Sequence, residues 1–255
     1  MITTNDIFIS EKILDENLEL HIVDVEYLTP EILDYINEHF VTICEGDSGS
    51  NLETVKKRAL SFFENKTEST KMGAIAEFFI HLYLKKQGFK QECMFFNLEE
   101  GSIKKGFDGY YSIDEKEWIM ESKSGNVNSQ SITHSKKITE AYNDLVDKFK
   151  GNVSNNPWKN AYNHASQIDV RTSGDIRKNI KFLSDNFTNQ IFPSINDFNI
   201  IPAATIFLNG QWENYDVGKL KQQISKNISK FNYRKILIIC LTKKSTNLII
   251  DFLKK

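Results

Sequence analysis

Hydrophobic and polar positions alternate along "NLELHIVDVEYL", residues 17 to 28, the pattern of a half-buried strand. In "TPEILDYINEHFV" the rhythm changes: Thr29 is placed to cap, Pro30 takes the first helical position, and the apolar residues recur three and four apart, which predicts an amphipathic helix. "GDSGSN" breaks it, and residues 51 to 65 resume the helical period. After the polar link "KTEST", where Ser69 or Thr70 is available as a cap, "KMGAIAEFFIHLYLKKQ" from Lys71 to Gln87 is apolar nearly all round and stops at Gly88. A helix without a polar face belongs inside the protein.

Further along, "KQECMFFNL" reads as a strand and "EEGSIKK" as a turn. Two more strands are expected near Gly106 to Ile113 and Glu117 to Ser124, joined by the polar "DEKE". A polar helix with apolar spacing is expected from about Gln130 to Lys150, ended by Gly151. In residues 151 to 200, "GNVSNNPWKN" and "FPSINDFN" read as loops with helical pieces between them. The pattern then sharpens into a buried strand, "IPAATIFLNG", and a helix from about Lys219 to Phe231 with the apolar stripe Leu220, Ile224, Ile228 and Phe231. The strand "KILIICLT" and a last apolar segment, "NLIIDFLKK", complete it. Strands alternate with helices and no repeat or low-complexity linker divides the chain. The expectation is one α/β domain over residues 1–255 with a mixed central sheet flanked by helices, residues 1–68 forming an N-terminal α/β extension packed on the core.

Composition changes this picture little. The 255 residues are 40% hydrophobic, enough for a large core, without a run long enough to span a bilayer. No cationic leader precedes a short apolar run, so the expectation is a cytoplasmic protein with no membrane association. Cys44, Cys93 and Cys240 are odd in number and far apart, which fits buried thiols rather than disulfides or zinc ligands. A net charge of −2 excludes a protein that coats nucleic acid through overall positive charge, and it leaves room for a local basic surface. One segment supplies it: Lys219 to Lys244 holds Lys219, Lys221, Lys226, Lys230, Arg234, Lys235, Lys243 and Lys244 with no Asp or Glu. Lys136 and Lys137, in the first turns of the helix after the hairpin, add charge where free N–H groups favour phosphate.

The candidate chemistry lies in the hairpin. Glu121 and Lys123 are two residues apart on a strand and share a face with Ile119, leaving Trp118, Met120 and Ser122 on the other. Such a pair alone is an ordinary ion pair. Asp108, between Gly106 and Gly109 on the neighbouring strand, brings a second carboxylate beside Glu121, and two carboxylates held close call for a cation between them. A hard divalent ion such as Mg²⁺ needs only one or two carboxylates with water and substrate phosphate, and Lys123 is then placed to orient water or neutralise charge on a phosphate. Glu77 is the only acid in "GAIAEFFIHL", and a buried carboxylate calls for a partner. His81, one turn on, reads as a buried, satisfied histidine. No nucleotide-binding loop of the G-x-x-x-x-G-K-[ST] type, no G-x-G-x-x-G, no G-x-S-x-G and no paired zinc ligands occur.

A helical Glu in "MGAIAEFFIHLYL", an Asp in "GFDGYY" and Glu-x-Lys in "WIMESKSG", in that order, resemble the PD-(D/E)xK nucleases of restriction-endonuclease-like fold. The resemblance implies Mg²⁺ or Mn²⁺ held by Asp108 and Glu121 with help from Glu77, Lys123 in a catalytic role, and hydrolysis of DNA phosphodiesters. Phe107 stands where the superfamily's name has Pro. Taken together, "GAIAEFFIHLYLKKQGF", "KKGFDGYY" and "WIMESKSG" also look like the nuclease subunits of the Hachiman anti-phage defence system, which implies a helicase partner that restrains or delivers the nuclease. Two other readings stand beside it: a binding subunit of the same fold without catalysis, and a nuclease for RNA or branched DNA.

Overall fold

The computed structural model describes residues 7–96, 106–130 and 132–255. It is an α/β fold: seven strands form one mixed sheet with helices on both faces. The strands are β1 (Ile9–Leu14), β2 (Leu18–Val25), β3 (Lys90–Gln91), β4 (Gly109–Ile113), β5 (Lys116–Asn126), β6 (Asn199–Phe207) and β7 (Lys235–Lys243). Across the sheet they run β1-β2-β7-β6-β5-β4-β3. β2, β7, β6 and β5 are mutually parallel, and antiparallel partners flank them at both edges. The inner strands β6 and β7 are apolar at almost every position because both of their faces are covered.

Helices α1 (Pro30–Glu45), α2 (Leu52–Glu64), α3 (Glu68–Lys86) and α8 (Asn247–Leu253) cover one face. Their apolar residues, among them Ile36, Phe40, Phe79 and Tyr83, pack on Val23, Met120 and Ile239. On the other face lie α4 (His134–Phe149), α5 (Pro157–Ala165), α6 (Gly174–Thr188) and α7 (Val217–Ile228). Ile138, Leu145, Trp158 and Ile224 there meet Ile119, Ile200 and Ile238. Helices α1 to α7 start at side-chain caps. Thr29 Oγ1 accepts from the Ile32 N–H at 3.2 Å, Asn51 from Thr54 at 2.8 Å and Thr133 from Lys136 at 3.2 Å, each filling one of the free donors of a first turn. β1 and β2 belong to the same sheet as the hairpin, at its far edge.

Several expectations are corrected in detail. The cap of α3 is Thr67, not Ser69 or Thr70, so the helix starts earlier than the apolar run. Among the described residues of "KQECMFFNL" the strand is two residues long, Lys90–Gln91. Beyond them the Phe95 and Phe96 N–H groups turn to the Ile43 and Cys44 carbonyls, satisfying the end of α1 instead of a sheet edge. "EEGSIKK" and Ser131 lie outside the described residues. α4 begins at His134 rather than near Gln130, and residues 151–200 hold two full helices, α5 and α6. All three cysteines are free and buried. Among the described residues no helix is long and apolar enough to cross a membrane.

The β4–β5 hairpin closes through Asp114 and Glu115, both at positive φ, 47° and 61°, the conformation a two-residue loop needs to match strand twist. At its other end Gly109 has no room for a side chain: a Cβ would run into the Tyr111 ring and approach the Met120 methyl to 3.0 Å. Tyr111 is fully buried and cannot step aside. Gly109→Ala is therefore expected to cost about 1–3 kcal/mol of stability through overpacking, read by urea denaturation.

Candidate functional site

The hairpin delivers two carboxylates to one point. Its register pairs Gly109 with Met120, so Asp108, one residue before β4, stands opposite Glu121 on β5. An Asp108 carboxylate oxygen accepts from the Ser122 backbone N–H at 2.8 Å, which fixes the side chain against β5. Phe107 anchors the approach: its ring lies 4.8 Å from that of Trp158 and 6.2 Å from that of Phe149. A large buried ring thus holds Asp108 in place.

Strand parity sends Ile119 into the core under α4, and Trp118 and Met120 into the opposite core, as the sequence pattern predicts. Glu121 shares the Ile119 face beneath α4 and is buried, at 3% exposure. Its two oxygens are engaged by ammonium groups: Lys148 of α4 donates to Oε2, and Lys123 Nζ is 3.6 Å from Oε1. Lys123 also pairs with Asp144 of α4. Burial, with the Asp108 charge beside it, pushes the Glu121 carboxyl up to about 7 against the pull of Lys148 and Lys123. Burial works against a charged Lys123, but Asp144, Glu121 and Asp108 outweigh it and hold the ammonium above its usual range.

Glu77 reaches this region from α3, on the other layer. It is buried, with Oε1 3.4 Å from His81 Nε2, and the other ring nitrogen of His81 meets the Tyr111 hydroxyl. Burial raises the pKa of that hydroxyl, and the carboxylates of Glu77 and Asp108 raise it further. Asp108, Glu121 and Lys123 therefore form one cluster. Among the described residues no group of three or more His, Cys, Asp and Glu side chains is gathered to hold a metal ion. The Asp108–Glu121 pair fits a hard divalent cation of the kind that takes one or two carboxylates and fills its remaining positions with water or phosphate.

Asp144 and Lys148 are residues the sequence reading misses. Their signal is an acid and a base four apart, flanking the apolar stripe of Ala141, Leu145 and Phe149 that lays α4 on the sheet.

Of the lysines expected to meet phosphate, Lys136, Lys219, Lys226 and Lys230 are exposed. Lys137 is half-buried against Glu140, and Lys221 pairs with Glu11. Lys136 and Lys230 line a groove of about 430 Å³ between α4 and α7, with Thr133, Thr139, Asn227 and Phe231. Lys243 is a correction. It is fully buried, with Nζ 3.1 Å from the centroid of the Phe79 ring, because parity along the central strand β7 sends it into the core with Leu241 and Ile239. It contributes nothing to a basic surface.

The start of α4 is pinned by His134, whose Nε2 lies 3.1 Å from the Leu241 carbonyl oxygen and 3.3 Å from Thr242 Oγ1. Burial lowers its pKa to about 4 from an ordinary value near 6.5. The unfolded chain therefore takes up this proton first as pH falls. The resulting stability is fully present above about pH 6.5 and is lost on descent toward pH 4, a loss on the order of a few kcal/mol. In urea titrations at pH 7 and pH 5, His134→Gln is expected to show a smaller drop in midpoint than the wild type.

No protein-family model and no curated protein sequence matches this chain. The functional reading therefore rests on the geometry of the site.

Proposed function

We propose that this protein is a divalent-metal-dependent DNA nuclease of the PD-(D/E)xK type, the effector of an anti-phage defence system that works with a helicase partner. The observation that carries the reading is the juxtaposition of Asp108 and Glu121 across a hairpin register, with Lys123 two residues on and on the same face. Asp108 and Glu121 would hold the cation, which supplies Lewis-acid polarisation of the phosphodiester and a counter-charge for the departing oxygen. Lys123 stabilises negative charge that builds on the phosphate oxygens during attack by water, and Asp144 fixes its direction. Exposed Lys136, Lys219, Lys226 and Lys230 hold the nucleic-acid backbone without reading sequence. The chain has no G-x-x-x-x-G-K-[ST] loop of its own, so ATP-driven opening of DNA falls to the partner.

The test is incubation of the purified chain with plasmid and linear DNA in Mg²⁺ and in EDTA, alone and with ATP and a helicase subunit of the defence-system type proposed as its partner. Cutting that needs Mg²⁺ supports the nuclease. A second reading, a binding subunit of the same fold, is favoured by the engagement of both Glu121 oxygens by lysines. It gains if DNA is bound and never cut, and cleavage confined to RNA or branched DNA would redirect the substrate.

A further inference from the structure

Helix α4 enters the site twice, one turn apart. Asp144 takes Lys123, and Lys148 takes Glu121. The Lys148 side chain is 13% exposed, and its ammonium also lies 5.8 Å from the centroid of the Phe107 ring, next to Asp108 in sequence. Its charge is thus held between the two elements that carry the carboxylates. Two carboxylates side by side, one of them buried, are costly without a cation, and Lys148 supplies one from within the chain. A lysine suits a removable charge: its ammonium is a point charge on a flexible stem, whereas an arginine fork would grip the carboxylate at two points.

We propose that Lys148 is the site's built-in counter-ion: it neutralises Glu121 in the metal-free protein, and a divalent cation binds only by displacing it. The displacement rests on the nuclease reading above, through its metal; the ion pair does not. On this view α4 sets the metal requirement of the hairpin while contributing no metal ligand, and Lys148 is a positioning residue rather than a catalytic one.

The test uses the full chain without DNA and Mn²⁺ alone as the probe, titrated calorimetrically into wild type, Lys148→Met and Lys148→Arg. Lys148→Met is expected to bind Mn²⁺ about tenfold more tightly, the change that loss of one close like charge brings in a partly screened site, and Lys148→Arg no more tightly than wild type. In EDTA, urea denaturation of Lys148→Met, Glu121→Gln and the double variant is expected to show coupling, the double variant recovering most of the stability that Lys148→Met loses. Unchanged or weaker Mn²⁺ binding by Lys148→Met, with wild type binding normally, overturns displacement and leaves the nuclease reading standing. Absence of coupling overturns the counter-ion role itself. Coupling without Mn²⁺ binding by any variant overturns the metal reading, and displacement with it.

Discussion

Lys123→Ala is expected to lower Mg²⁺-dependent cleavage about a thousandfold, the scale on which loss of a positioned charge-stabilising group acts. The loss should fall on kcat rather than KM, because the charge Lys123 meets develops only as the phosphate is attacked. The fold should hardly notice. The Lys123 side chain is 29% exposed and its partner Asp144 is 43% exposed, and the buried Glu121 that Lys123 also meets keeps Lys148 as its counter-charge. Glu121→Gln should abolish cleavage to a similar degree and carry a structural cost as well, since it leaves Lys148 largely buried without its counter-charge. Nicking of plasmid under single-turnover conditions, with circular dichroism to confirm folding, separates the two effects. Lys123→Ala cutting at the wild-type rate would sink the nuclease assignment.

The largest expected effect on stability is that of Trp158→Ala. Trp158 is fully buried on α5, and its ring meets Phe107 at 4.8 Å and Phe149 and Phe198 at 5.5 Å each. Removing it leaves a cavity that three rigid rings cannot fill by rotation, at a cost of about 3–5 kcal/mol in urea unfolding. The cavity opens directly behind Phe107, so the variant should also lose activity at temperatures where it remains folded. Trp158→Phe, which keeps most of the volume, should recover the greater part of both. If Trp158→Ala lost stability but kept full activity, Asp108 would owe its position to the Ser122 hydrogen bond rather than to the aromatic cluster.

The elements legible in the sequence are those whose pattern has one physical solution. The all-apolar run of α3 can only be an interior helix, and period-two parity alone puts Glu121 and Lys123 on the face away from Met120. Residues 151–200 resist reading because Asn156, Pro157 and Ser173 belong equally to turns and to helix starts. Asn156 and Ser173 are caps here and Pro157 opens α5, but "NNP" and "TSG" look the same in a loop. β3 misleads for another reason: "KQECMFFNL" has strand propensity, and the N–H groups of its Phe95 and Phe96 are claimed by the end of α1, a contact set by tertiary structure. In the site, Asp108, Glu121 and Lys123 are readable because two short strands and a tight turn hold them. Asp144 and Lys148 come from a helix whose rotation over β5 depends on how Ile138, Leu145 and Phe149 seat. Lys243 escapes for the opposite reason, since nothing in a lysine's identity announces that its stem runs inward.

The placement of β2 beside β7 governs the order in which the molecule can be made. Leu18 lies next to Ile236 and Val25 next to Lys243, so a strand at the beginning of the chain has its lateral partner near the end. On the ribosome β2 can pair with β1 alone, and such an isolated two-stranded ribbon is marginal in water. The hairpin bearing Asp108 and Glu121, with α4 following it, emerges well before β6 and β7. Contacts this distant in sequence make folding slow and put sheet completion late in synthesis. The finished sheet, and with it the rigid floor beneath the site, exists only after Lys243 has left the exit tunnel.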